Sequence, residues 1–254
     1  MKTSNIVFAK LYNLDTDGIE YATMQGVGIK SVILMLACFI SACLSIVFLN
    51  AASAESYFIY FISIIATVVL QIIITVNPLI ASKLSIPYVV CEGLTIGVIC
   101  DLAELALPGE GFVLASGALM ITLGIVLACS ILYSNTSIRA TSGFIKVMLI
   151  ILLGTLIGSA FFSILGFVLK LASGVNIFAI YYNSTLSILV SMAMIIIASI
   201  YLFISIQQAD QTISYGVDKK YEWYAAFGIV ITAIWLFLEI FELLIKFARR
   251  RDYL

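Results

Sequence analysis

Seven long apolar runs, each set off from the next by a short cluster of turn-forming or charged residues, make up almost all of this 254-residue chain. They extend from about Val27 to Leu49, Tyr57 to Thr75, Pro87 to Leu102, Phe112 to Tyr133, Phe144 to Leu169, Leu186 to Ile206 and Trp223 to Phe247. Most reach the roughly 20 residues that a helix needs to cross a hydrocarbon core of about 30 Å. Helices satisfy every backbone polar group internally, which lipid demands. The pattern therefore predicts an all-α polytopic membrane protein with seven helices. The breaks carry the right chemistry: Asn77-Pro78 after the second run, Pro108-Gly109-Glu110-Gly111 before the fourth and Ser134-Asn135-Thr136-Ser137 after it. Asn183-Ser184-Thr185 caps the sixth, and Gly216 with Lys219-Lys220 precedes the seventh. Three regions follow: an interfacial arm over 1–26, with Ile6, Val7, Phe8, Leu11 and Tyr12 among its charges, a seven-helix domain over 27–247 and a basic tail over 248–254.

Against that apolar background the polar residues stand out. Glu239 and Glu242 lie inside the seventh run, three apart and so on neighbouring positions of one helix face. A carboxylate at bilayer depth costs at least a few kcal/mol unless protein, water or a cation faces it. Glu242 also precedes Lys246 by four residues, which is ion-pair spacing. Glu92 and Asp101 lie in the third run, about 13 Å apart along a helix and on opposite faces, so they cannot share one ion. Asp101, close to Glu104, reads as a solvated interfacial acid. Gln207, Gln208 and Asp210 close the sixth run. The lysines at 30, 83, 146, 170 and 246 sit towards helix ends, so the acids point to protons or hard cations such as calcium, which favours oxygen ligands.

Composition narrows the chemistry further. Hydrophobic residues are 63% and charged ones 11%, with a mean hydropathy of +1.18. The chain has no histidine, which removes Ser-His and Cys-His nucleophile pairs, the His-Glu-x-x-His zinc motif and haem ligation by histidine. The expectation is a protein that is not an enzyme and holds no cofactor. The five cysteines fall in apolar runs without a Cys-x-x-Cys pair and read as packing residues. A net charge of −1 speaks against a nucleic-acid partner. The bilayer itself is the expected partner, with no removable signal peptide in the first thirty residues.

Lysine and arginine in the short loops orient the chain. With the N-terminus cytoplasmic, that side holds Lys2, Lys10, Lys30, Lys83, Arg139, Lys146, Lys219 and Lys220, against Lys170 opposite. Lys246 and Arg249 to Arg251 go against this if all seven helices cross. Either one segment is re-entrant or the tail breaks the rule. Two Gly-x-x-x-Gly pairs, Gly93 with Gly97 and Gly154 with Gly158, have the spacing that lets membrane helices approach closely, and packing is the reading for both.

Several stretches resemble the Bax inhibitor-1 family, in its bacterial YccA/YetJ-like branch. They are Ser4-Asn5-Ile6-Val7, Met24-Gln25-Gly26-Val27, Cys91-Glu92-Gly93-Leu94-Thr95-Ile96-Gly97 followed by Pro108-Gly109, and above all Glu222-Trp-Tyr-Ala-Ala-Phe-Gly with Trp235-Leu-Phe-Leu-Glu239. The likeness spans nearly the whole chain. It implies a bundle in which the last helix is central and ringed by the other six, a bacterial plasma-membrane location and a pH-sensitive calcium leak. It also implies a paired sensor of two acids, at the end of the sixth helix and in the seventh. Glu239 matches the seventh-helix acid, whereas the sixth-helix position holds Gln207 or Gln208, with Asp210 just after. An amide does not titrate, so either Asp210 supplies the second acid or the pair is absent. On this reading Glu239 and Asp210 hold calcium in transit and Glu92 lines or gates the path. The alternative is a non-conducting regulator that binds a membrane protease or stress machinery.

Overall fold

The runs fold as seven helices in the computed structural model, which describes residues 20–49, 54–135, 139–174, 176, 181 and 184–251. They are α1 (Met24–Leu49), α2 (Ala54–Val76), α3 (Ala81–Ala106), α4 (Gly111–Asn135), α5 (Ser142–Ser173), α6 (Thr185–Ile213) and α7 (Glu222–Arg251). The arm up to residue 19, Thr136, Ser137, Asn183 and the tail from residue 252 lie outside the described residues. No strand occurs among the described residues. α1, α4, α5, α6 and α7 are each long and apolar enough to cross a membrane, while α2 and α3 meet that test as a pair bent by 119° at Asn77.

Local chemistry sets the boundaries. α2 stops at Val76 because Pro78 follows, and Pro78–Ile80 forms a 3₁₀ turn that leads into α3. α3 therefore starts at Ala81 and not near Pro87, which sits inside it. Packing overrides that proline, since Ser85, Tyr88 and Val89 on either side of it are buried. Thr141 caps α5 by accepting from the Phe144 amide at 3.3 Å, and Ser184 caps α6 by accepting from Ser187 at the same distance. Gly109 and Gly216 take positive φ of 81° and 74° in the turns after α3 and α6, where a Cβ would strain the backbone.

α7 is the centre of the bundle, packing against α1, α3, α4 and α6. Tyr224, Phe227, Leu236 and Phe241 on it are among the most deeply buried side chains. The ring of six is not uniform. α2 packs mainly on α3, and α5 stands to the outside, touching chiefly α6 among the described residues. The outer surface carries Ile33, Phe39, Leu105, Ile150 and Leu171 exposed, a periphery that only lipid suits. The chain is thus an integral membrane protein of the all-α class.

The two glycine pairs part company. A Cβ on Gly93 would collide with the Cys38 carbonyl and lie 2.8 Å from Ser41, and one on Gly97 would lie 2.5 Å from Ser45. Both glycines let α3 close onto α1, where Ser41 and Ser45 donate to the Val90 and Leu94 carbonyls at 2.7 and 3.0 Å. Around Gly154 and Gly158 no described atom outside the helix lies within 4 Å. Among the described residues that pair packs against nothing, because α5 stands away from the bundle.

Candidate functional site on the last helix

At 30 residues α7 is about 45 Å long, so Glu239 stands only about 4 Å beyond its midpoint. The apolar faces of α7 fix the helix in the core, and the polar positions that remain form a seam towards α6. Glu239 is half-buried there, and Trp235, one turn earlier, donates its indole N–H to Glu239 Oε1 at 2.9 Å. Glu242 Oε1 meets the Lys246 ammonium at 2.6 Å, as the four-residue spacing predicts. The surprise is Lys246. Its side chain is 4% exposed against 42% for Glu242. It points into the bundle, 2.7 Å from Ser191 Oγ and 3.4 Å from the Ser187 carbonyl on α6, with the Tyr181 ring 5.6 Å away. The ion pair of Glu242 with Lys246 follows the spacing in the sequence, whereas the inward turn of the Lys246 side chain onto α6 does not.

Asp210 is not Glu239's partner. Ser205 Oγ meets Thr232 Oγ1 at 3.2 Å, and fourteen residues away along both antiparallel helices Ser191 meets Lys246. On that register Glu239 is level with Ala198, about 18 Å along the axis from Asp210. The two cannot share a calcium ion or a proton. Asp210 instead accepts from the Tyr133 hydroxyl at 2.5 Å, while the Arg139 guanidinium covers the Tyr133 ring at 3.9 Å. Gln207 is buried and clasps the backbone of one residue: its amide accepts from the Ala140 N–H at 2.7 Å and donates to the Ala140 carbonyl at 2.9 Å. Both residues thus pin the α4–α5 connection to the end of α6. Gln208 is buried beside them, and its carbonyl accepts from Thr212 at 2.7 Å.

Glu92 stands apart on α3, half-buried near Cys38 and Tyr88, and Tyr88 packs edge-on against Phe227 of α7 at 4.9 Å. α3 and α7 run the same way, so Glu92 lies roughly level with Ile231, about 12 Å short of Glu239. Glu104, by contrast, is occupied in accepting from the amides of Gly109 and Phe112 at 2.6 and 3.0 Å, fastening the start of α4. Among the described residues, no three of His, Cys, Asp and Glu converge to hold a metal.

The acid that sequence reasoning overlooked is Glu222. It opens α7, is buried, and its carboxylate meets the Lys30 ammonium of α1. It also accepts from the Thr23 amide at 2.8 Å and the Thr23 hydroxyl at 3.2 Å, which places a negative charge at the N-terminus of α1. Around it, residues 20–22 pair with 217–219: Ala22 donates to Val217 at 2.8 Å and Lys219 to Glu20 at 2.8 Å. Lys220 holds the Asp218 carboxyl below its usual range. The seventh run begins at Trp223, so Glu222 falls one residue outside it and is not among the intramembrane acids. A hint lay in the aromatic residues that flank it, Tyr221, Trp223 and Tyr224, which mark a buried helix start.

These contacts also fix the sense of the tail. The start of α1 meets the start of α7, whereas Arg251 pairs with Glu110 in the α3–α4 turn at the other end. The last residues of α7 therefore lie on the face opposite the beginning of α1.

A family model described as Bax inhibitor 1 like matches residues 5–249. The chain belongs to that family. No curated protein and no solved structure matches it. The match takes in every helix, so the Bax inhibitor 1 like fold extends from α1 to nearly the end of α7. It covers Glu222, Glu239, Glu242 and Lys246 alike.

Proposed function

We propose that this Bax inhibitor 1 like protein is a non-enzymatic cation leak of the membrane, passing calcium, with Glu239 as the acid at the middle of the path. The observation that carries this reading is the seam itself: two carboxylates on the central helix, Glu239 near its midpoint and Glu242, 42% exposed, towards its far end, beside a Lys246 ammonium that contacts the hydroxyl and carbonyl oxygens of α6. Oxygen ligands of this kind suit a hard cation. A pH response then belongs to Glu239 and not to a pair with Asp210. The reading places the protein in a bacterial plasma membrane of the YccA/YetJ-like branch, with the start of α1 cytoplasmic, as the loop lysines favour. Purified protein in liposomes loaded with a calcium dye tests it. Wild type should show flux that changes across about pH 6 to 8. Glu239→Gln should lose that change, and unaltered flux in this variant counts directly against the proposal.

One observation favours a second reading, a non-conducting regulator of a membrane protease or stress machinery. Gln207 and Asp210 are both committed to holding the α4–α5 connection. The sixth-helix half of an acidic sensor is then given over to structure. Liposomes without flux, together with co-purification of a membrane protease that depends on the α4–α5 connection, would support this reading.

A further inference from the structure

The pair of Glu242 and Lys246 is built the wrong way round for an ordinary ion pair. At i, i+4 spacing near a helix end, a lysine normally extends its stem outwards and leaves its ammonium in water, for little gain. Lys246 lies five residues before Arg251, in the last turns of the helix. It turns inwards instead, and its partner is the exposed member. Burying an ammonium is expensive and is offset only by close, well-placed acceptors. Lys246 finds three oxygens to match its three N–H donors, from the Glu242 carboxylate, the Ser191 hydroxyl and the Ser187 carbonyl, with the face of Tyr181 beyond them.

We propose that this cage is a binding site for a small hard cation, and that the ammonium of Lys246 is the cation it holds in the resting protein. A carboxylate, a hydroxyl and a backbone carbonyl are the ligand types that calcium and similar ions take. The exposed Glu242 is the way in, since an incoming ion meets that carboxylate before it meets the buried ammonium. Glu239, one turn further along the same face, places a second carboxylate beside a single lysine, so the seam carries more acid than Lys246 can match. A diffusing cation and the ammonium compete for one set of oxygens, and Lys246 thereby sets how readily the seam takes an ion. For its effect on flux this inference rests on the leak proposed above, but binding can be read without it.

Terbium is the probe, because the Tyr181 ring, 5.6 Å from the ammonium, lies close enough to sensitise its emission. Full-length protein in detergent should bind terbium weakly. Lys246→Met keeps most of the stem and should bind about tenfold more tightly or better, with excess calcium displacing the probe. Lys246→Arg keeps a fixed cation and should stay at the wild-type level. Adding Glu242→Gln to Lys246→Met should abolish the gain. Binding by Lys246→Met no tighter than wild type, or a gain that survives loss of Glu242, overturns the proposal. Wild-type protein offers a check that needs no variant to fold: saturating calcium should speed reductive methylation of Lys246, read by mass spectrometry, and an unchanged rate overturns it too. Terbium binding without liposomal flux would sink the leak and leave the cage standing. Flux without terbium binding would do the reverse.

Discussion

Replacing Glu222 by glutamine removes one charge and almost no volume, so it tests the ionic part of the contact between α1 and α7. The carboxylate is 2% exposed and receives the Lys30 ammonium, the Thr23 amide and the Thr23 hydroxyl. A hydrogen bond to a charged group contributes about 1.5–3 kcal/mol, and orphaning a fully buried partner costs about 3–5. The amide keeps the bond from Thr23. Lys30 is 16% exposed and only two turns into α1, so it recovers some hydration and keeps its contact with the Trp223 ring at 5.5 Å. These offsets put Glu222→Gln at about 2 kcal/mol, well above the roughly 0.2–1 kcal/mol of an exposed pair. Reversible unfolding in mixed micelles, followed by circular dichroism, measures the loss. A cycle with Lys30→Met should give a coupling of about 1.5 kcal/mol, whereas independent sites add to within about 0.5. Hydrogen exchange should rise at the Ala22 and Lys219 amides, which the lock holds in place. Additive effects of the two substitutions would refute the reasoning, whatever their individual sizes.

Other expectations follow from the same contacts. Gly97→Val should destabilise by about 2 kcal/mol or more, because Ser45 would have to move away from the new side chain. Gly154→Ala should be neutral or stabilising by up to about 1 kcal/mol, since that Cβ meets no described atom; micelle unfolding compares the two directly. Gln207→Leu strands the N–H and carbonyl of Ala140 and should cost about 2 kcal/mol, with faster tryptic cleavage after Arg139 as the local readout. Tyr133→Phe should speed the same cleavage less, through loss of the bond to Asp210.

The seven helices were legible because lipid imposes the same demand on each of them: an apolar run of spanning length with its backbone bonded internally. Their ends were legible where one residue has one use, as with Pro78, Ser184 and Gly216. Pro87 misled for the complementary reason, since local propensity places a boundary there and burial on either side outweighs it. Gly93 and Gly154 share one spacing, and only the partner facing α3 and missing from α5 tells them apart. The acids show the same division. Composition established that carboxylates are stranded in an apolar chain and must be matched. Trp235 for Glu239 and Lys246 for Glu242 are four residues away, but the groups that settle Lys246 and Glu222, Ser191 and Thr23, come from 55 and 199 positions away. Helix register decided that Glu239 and Asp210 stand about 18 Å apart, and that Lys246 faces inwards while Glu242 remains at the surface. Sequence determined what each segment must be, because burial in lipid is a property of a segment. Tertiary structure decided what each charge does, because pairing is a property of two segments at once.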